Sequence, residues 1–600
     1  MNRFNRAIVR MILGLSGAVL RFPLTVGCLI CATILTCYMI SQHDISDLLI
    51  QKLMFTFLLG SFLGVTAQFA CERFPRLAKA RLAVYALSAL LTLGYYLIIS
   101  PVPAIDYGVG ARTLVAVFSM FCVFIWLPSF RGRFDFNSVA LIHFKSAFTS
   151  ALYAGVLTAG LAAIIATIDI LLFAVNEDWY GYMMAIVWIL LATTYYLSLL
   201  PRFNSVSESD QAYAGEASHY PRLLEILVSY IAIPLFAAYT LVLLAYFIKI
   251  GVTLEWPSGQ LGPMILAYSA IGFIIYILVS RLKNHLAFLY RRIFPKVLIP
   301  VVIMQLISVY IRLSTYGVTE SRYYVALFGI FSIVMGIVFS FRPAAKNGII
   351  ALMAAGFAIF SIIPPVDAFT VSRVSQITRL QSMLHTAGVL VDGQIYPKPD
   401  ADMNLRLETT SILNYLERRN YLKEVSWLPA DFQIKNMQLT LGYEPAYQYM
   451  AGTPNYFFAN LNMEKPLNID GYDVLLQTST YRHMDSKENI TYEFEVRGVQ
   501  YRLVLEQLSP HETQVSVQND AGKELVATGL YDFANSITSI SNQPKGTLDA
   551  EELTLDTESN GCKLRIVFQN INITYRTGAD AGVNYNMFVM IAVPPSAEDQ

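Results

Sequence analysis

The chain has 600 residues, 55% of them hydrophobic and only 14% charged, and its 43 Lys and Arg balance 43 Asp and Glu. A mean hydropathy of +0.48 excludes an ordinary soluble domain, and the missing basic excess argues against a nucleic-acid partner, so a membrane class is expected. The neutral total hides an asymmetry: basic residues cluster between apolar runs in the first 350 residues, while the last 200 have an ordinary mixed composition.

Residues 2–20 place Arg3, Arg6 and Arg10 on one helical face and Phe4, Ile8, Met11, Ile12 and Leu15 on the other. This predicts an amphipathic helix over 1–22 on the cytoplasmic face of an anionic leaflet. A secretory or lipoprotein signal is the competing reading, through Thr25-Val26-Gly27-Cys28. Arg21 and Pro23 interrupt its apolar region, and further spans follow.

A run of about 20 apolar residues crosses a hydrocarbon core of about 30 Å. Eleven runs qualify, near 23–41, 48–70, 82–99, 112–128, 147–174, 181–200, 223–248, 262–280, 297–313, 323–341 and 347–363. Cytoplasmic connections carry excess Lys and Arg, and alternate connections here do so, with Arg73, Arg76, Lys79 and Arg81 in the first and Arg281, Lys283, Arg291, Arg292 and Lys296 in a later one. The basic N-terminus belongs with them. An odd number of spans then places everything after Pro364 outside. The weakest connection is 201–222, where Arg202 and Arg222 face Glu208, Asp210 and Glu216.

Pro364-Pro365 stops the last span, since neither proline donates a backbone hydrogen bond. A helix is predicted over 367–387, with Val374, Ile377, Leu380 and Leu384 on one face and Gly388 as its cap. A second, over 402–421, turns Leu405, Ile412, Leu413 and Leu416 inward, and residues 364–424 read as a juxtamembrane helical hairpin. Beyond Trp427 the period changes to two. Tyr492, Phe494 and Val496 lead through Arg497-Gly498 to Tyr501, Leu503 and Leu505, a β-hairpin. Further short strands flank the turns Asn519-Asp520-Ala521-Gly522 and Ser559-Asn560-Gly561. The fold class expected is a membrane all-α helical bundle over 23–363, the hairpin, and an extracytoplasmic antiparallel β-sandwich-like domain over 425–600.

The loop Tyr316-Gly317-Val318-Thr319-Glu320-Ser321-Arg322-Tyr323, followed by Ser372 to Gly393 with its Ser375-Gln376, Arg379-Leu380, Gly388 and Gly393, resembles the bacterial membrane-protein family called domain of unknown function 4153. The resemblance covers roughly residues 10–420 and leaves out the β-rich end. It implies a polytopic bacterial envelope protein and brings no activity with it.

Candidate functional residues are few. Asp169 is ionisable inside an apolar run, where a charge costs about 2.5 to 3.5 kcal/mol at mid-bilayer. Either it lines a polar cavity, paired with Arg312, or it reaches the outer interface seven residues before Asn176. The Tyr316 loop binds an anionic headgroup or sugar through Arg312 and Arg322 with Glu320, or it is a helix junction in which Gly317 ends one helix and Thr319 caps the next. Arg379 joins these candidates. Asp44 and Asp47 invite comparison with membrane glycosyltransferases, but their loop of about seven residues is short for a lipid-linked donor. Gly60 and Gly64 form GxxxG, suited to close helix packing, and Pro234 interrupts the seventh span. Cys28 and Cys31 lie in lipid, Cys562 is alone in the polar part, and His483 and His511 are isolated. No catalytic signature, cofactor or metal site is therefore expected.

Three functions follow in order of preference. The first is a non-enzymatic envelope protein whose bundle anchors an external β-rich domain that binds a glycan, lipid headgroup or partner protein. The second is a transporter or lipid flippase with a polar route near Asp169. The third is a membrane glycosyltransferase using Asp44 or Asp47. The bilayer is the partner common to all three, and the oligomeric state is left open.

Overall fold

The computed structural model describes residues 13–43, 47–253, 261–447, 456–463, 465–480, 489–509, 512–539, 547–574 and 582–594. It divides into one unit of Met1–Arg379 and another of Leu380–Gln600. Of the amphipathic segment, residues 13–21 are helical, and the rest lies outside the described residues.

Ten helices among the described residues are long and apolar enough to cross a membrane. In order they are α1 (Pro23–Gln42), α2 (Leu48–Arg73), α3 (Arg81–Ile99), α4 (Tyr107–Trp126), α5 (Phe136–Leu171) and α6 (Asp178–Ser198). After a short α7 (Glu208–Ala217) come α8 (222–253), α9 (Leu261–Val279), α10 (His285–Tyr316) and α11 (Glu320–Phe341). The eleventh apolar run, expected to span over 347–363, forms only α12 (Ile349–Phe360), 12 residues long. At 1.5 Å per residue this is about 18 Å, short of the hydrocarbon thickness. The chain spends Pro343 to Gly348 on a turn whose Asn347 is buried and donates to Asn137 Oδ1 at 2.9 Å and Ser280 Oγ at 3.0 Å.

Carboxylates and amides start several of these helices. Asp47 Oδ1 accepts the amides of Leu49 and Ile50 at 2.9 and 3.2 Å, Asp106 that of Val109 at 2.8 Å, Asp135 that of Ser138 at 3.2 Å, and Asn284 that of Ala287 at 2.9 Å. Each satisfies donors that a helix start leaves open. Two membrane-crossing helices contain a π-helical stretch: α6 over Ala185–Ala192 and α8 over Leu227–Ala232. In α8 this stretch directly precedes Pro234, which cannot donate to the carbonyl four residues back.

The GxxxG of α2 packs within the chain. A Cβ at Gly60 would meet Thr92 at 2.7 Å and Cys28 Sγ at 2.9 Å, and one at Gly64 would meet Thr25 Oγ1 at 2.5 Å, so α1, α2 and α3 pack closely there. One core gathers aromatic rings from α8, α9 and α10, with Phe236 stacked on Tyr268 at 4.5 Å and Tyr290 on Phe294 at 5.1 Å. A second core holds Phe22, Phe69, Phe124, Val139 and Phe203.

The boundary between the units falls within α13 (Ala368–Thr386). Its predicted apolar face is only half right. Leu380 and Leu384 are fully buried, but Val374 is 55% exposed, because the buried side of the first turns carries Ser372 and Gln376, and Gln376 bonds the backbone of the Tyr316 loop. Gly388, at φ +73°, follows the helix, and the Val389 amide returns to Leu384 O at 2.9 Å. The short strands β1 (Leu390–Val391) and β2 (Gln394–Ile395) precede α14 (Met403–Arg418), where Leu405, Ile412, Leu413 and Leu416 are buried as expected.

The remaining strands are β3 (Tyr456–Leu461), β4 (Val474–Ser479), β5 (Ile490–Val496), β6 (Val499–Gln507), β7 (Thr513–Asn519), β8 (Glu524–Gly529), β9 (Thr547–Leu548), β10 (Thr554–Ser559), β11 (Cys562–Thr574) and β12 (Gly582–Ala592). One antiparallel sheet runs β5-β6-β7-β8. The other runs β4-β12-β11-β3-β9, with β10 also on β11, and is mixed because β3 pairs β9 in parallel. Arg497-Gly498 and Asn560-Gly561 turn their hairpins with positive φ at both central residues, the geometry that matches strand twist. Leu503, Val515 and Val517 from one sheet and Phe457, Ile566, Ile571, Tyr585 and Val589 from the other share one apolar core. The C-terminal region is thus built of antiparallel and mixed sheets.

Candidate functional site

The two stretches singled out in the sequence meet in the first unit. Gly317, at φ +69°, ends α10, and a Cβ there would come within 2.8 Å of Gln376 Nε2. Gln376 donates to Tyr316 O at 3.0 Å and Val318 O at 2.9 Å, while Ser375 Oγ accepts the Val318 amide at 2.9 Å. Arg322 donates to Gly317 O at 2.8 Å and Tyr316 O at 3.1 Å, and Arg379 to Tyr316 O at 3.4 Å. Both guanidiniums lie near the Tyr316 ring, at 5.5 and 6.0 Å from its centroid. Cationic and amide donors thus converge on carbonyls at the negative end of α10. Glu320, almost completely buried, opens α11, and Thr319 holds the cap position without a side-chain cap bond.

Beside this junction, Asp367 is fully buried. Its Oδ1 accepts the amides of Phe369 and Thr370, each at 3.0 Å, and starts α13. Burial alone would raise its carboxyl. Hydrogen bonds from the Thr370 hydroxyl and both amides, with the Arg112 guanidinium nearby, outweigh that and hold it below the usual carboxylate value.

The other candidates stand apart. Asp169, at the end of α5, accepts the Val175 amide at 2.7 Å, and among the described residues it forms no ion pair with Arg312. Asp47 caps α2, and Asp44, His483 and His511 lie outside the described residues.

Sequence reasoning missed a polar network inside the first unit. Arg21, 9% exposed, makes a two-point ion pair with Glu72 at 2.7 and 2.9 Å and donates to the carbonyls of Leu200 and Pro201. Glu72 also accepts from Gln68 at 2.7 Å, and Gln68 from the Tyr85 hydroxyl at 2.8 Å. Near it His143 Nδ1 meets the Tyr196 hydroxyl at 2.6 Å inside a ring of Phe69, Phe124 and Phe203. Tyr196 in turn lines a cavity of about 340 Å³ with Thr25, Ser61, Phe124, Ser150 and Trp188. Phe121 and Trp188 on its wall are 41% and 40% exposed on membrane-crossing helices, so it opens sideways toward lipid. The signal was present as Arg21 and Glu72 at the ends of apolar runs.

A second polar site lies in the β-rich unit. The register puts Asn460, Asn570, Asn586 and Ser479 side by side across β3, β11, β12 and β4. The next row holds Phe458, Asn572 and Asn584. Their neighbours along the strands, Phe457, Ala459, Ile571, Ile573, Tyr585 and Met587, are buried in the core, so the asparagines occupy the opposite face and are only partly buried. Asn570 donates to Asn460 at 2.5 Å and Asn572 to Asn570, while Gln477 donates to Gln569 at 3.0 Å beside them. The carboxamides of Asn584 and Asn586 have no hydrogen-bond partner among the described residues. Asn570-Ile571-Asn572 and Asn584-Tyr585-Asn586, each with asparagines two apart, were the readable signal.

A family model described as "Domain of unknown function (DUF4153)" matches residues 30–393, more than half of the chain. The chain belongs to the DUF4153 family. The DUF4153 match contains both the Tyr316 junction and most of the Arg21 network, whereas the asparagine rows lie beyond it. Over 184 residues the chain is 24% identical to the uncharacterized protein PM1469 of Pasteurella multocida (strain Pm70), a stretch covering 31% of this chain and 31% of that protein. The match thus spans about a third of that relative. No solved structure matches.

Proposed function

We propose that this DUF4153 protein is a non-enzymatic protein of the bacterial inner membrane whose helical unit anchors the β-rich unit on the outer side, where that unit binds an envelope ligand. The observation that carries the reading is the asparagine face: a unit with its own apolar core turns partly exposed, partly unpartnered carboxamides away from that core. Such groups each offer one acceptor and two donors, which suits recognition. The sidedness is supported by the alternation of basic connections and by the bonds of Ser375 and Gln376 to the Tyr316 connection. That connection lies between the ninth and tenth membrane-crossing helices and opposite the basic connection of Arg342 and Lys346, so that the short α12 brings the chain back to the outer side.

Asp520, exposed in the β7–β8 turn, provides the test. Asp520→Cys in the full-length chain is expected to react with a membrane-impermeant maleimide in intact cells. Cys562 is buried and serves as an internal control. Labelling only after lysis overturns the reading.

A second reading, a transporter or lipid flippase, has the side-opening cavity in its favour. It requires that filling the cavity by Ala147→Phe stop lipid or solute movement in proteoliposomes, and unchanged movement removes it.

A further inference from the structure

We infer that the asparagine face of the six-stranded sheet is a binding site for a neutral glycan. This rests on the proposed envelope-binding role and names its ligand. Three ligand classes compete for that role, and the residues on the face separate them.

An anionic lipid headgroup calls for arginine or lysine. The two rows contain neither. Among the described residues, the nearest guanidinium along β11, Arg565, is already engaged by Asp556 through two bonds at 2.7 and 2.8 Å and stacks on Tyr472 at 5.3 Å. A protein partner calls for an apolar or aromatic centre within a polar rim. Here the centre is carboxamide, and Phe458 stands at the end of one row.

A neutral glycan fits what is present. Each sugar hydroxyl both donates and accepts, as does each carboxamide. Adjacent strands lie about 4.8 Å apart, so Asn460, Asn570, Asn586 and Ser479 repeat donor and acceptor pairs at a spacing on the scale of one pyranose ring. The bonds already made within the rows fix the orientation of Asn460, Asn570 and Asn572, which limits the ordering cost of binding. Asn584 and Asn586 have no hydrogen-bond partner among the described residues, and Phe458 pairs with Asn572 in the neighbouring row. The bulge between Phe568 and Asn570 makes this possible, because it returns Ile571 and Ile573 to the core after Phe568 and leaves Asn570 and Asn572 on the outer face.

The full-length chain in lipid nanodiscs would be applied to an array of bacterial-surface oligosaccharides, neutral and acidic, with phosphatidylglycerol vesicles as the headgroup probe. Neutral members are expected to bind, and the Asn584→Ala/Asn586→Ala double variant to lose at least tenfold in affinity. Because those two side chains make no hydrogen bond among the described residues, its unfolding midpoint should match that of the wild type. Asn586→Gln, which keeps the amide, should retain more binding than Asn586→Ala. Absence of any neutral binder, or binding that the double variant leaves intact, overturns the inference. So does vesicle binding that the double variant abolishes, although the broader role then survives. Failure of that role is read separately, from Asp520→Cys that labels only after lysis.

Discussion

Removing one partner of the Arg21–Glu72 pair is expected to destabilise the membrane unit far more than the loss of an ordinary loop charge. Arg21 and Glu72 side chains are 8% and 15% exposed. In Glu72→Gln the guanidinium stays buried between Phe22 and Phe69, 4.8 and 5.7 Å from their centroids, with only the Leu200 and Pro201 carbonyls left to it. Breaking a buried pair from one side costs about 3–5 kcal/mol, whereas an exposed pair contributes about 0–1 kcal/mol. Arg21→Met should fall in the same range from the other side, stranding Glu72 with Gln68. In the double variant Arg21→Met/Glu72→Leu no buried charge remains unmatched, so it should be less destabilised than the sum of the singles. Reversible denaturant unfolding of the full chain in mixed micelles, followed by tryptophan fluorescence, measures all three. Single variants within about 0.5 kcal/mol of wild type, or strictly additive effects, would refute the argument that desolvation controls this site.

Gly317→Ala should cost about 1–3 kcal/mol, because alanine at φ +69° is strained and its Cβ meets Gln376; limited proteolysis of the Tyr316 loop would read the loosening. Gln376→Leu, at a buried position, removes two hydrogen bonds and should cost about 2–4 kcal/mol by unfolding. Asp367 has a depressed carboxyl pKa, so its contribution is full above the unfolded value of about 3.9 and is lost as pH falls through the folded value. As pH falls below about 4 the wild type should therefore lose more stability than Asp367→Asn, and parallel curves there would count against this.

Period and turn chemistry made most of the elements legible in the sequence. The apolar runs became helices, and Arg497-Gly498 and Asn560-Gly561 turned where turns were expected, with positive φ at both residues of each. Hydropathy misread 347–363 because it counts side chains and does not register the turn that holds Asn347. On α13, periodicity assigned Val374 inward, but a helix that must satisfy another segment's backbone buries Gln376 instead. The Arg21 network and the asparagine rows escaped for one reason. Their partners are 51 residues apart in the first case and 110 between Asn570 and Asn460, and a single sequence shows which residues could pair across such distances only after the register is known. Asp169 and Arg312 drew attention by residue type, yet among the described residues they form no ion pair.

The Tyr316 junction also orders the making of the protein. Its donors Gln376 and Arg379 and its acceptor Ser375 are 57 to 63 residues downstream of the groups they serve. During synthesis α10 and α11 leave the ribosome before any of them exists, so of the donors at this junction only Arg322 is in place, and the Val318 carbonyl waits for Gln376. The last membrane-crossing pair is sealed only when translation has passed Arg379, beyond the final apolar helix. A chain stopped at Ile363 would carry every apolar helix of this unit and still lack the residues that close it.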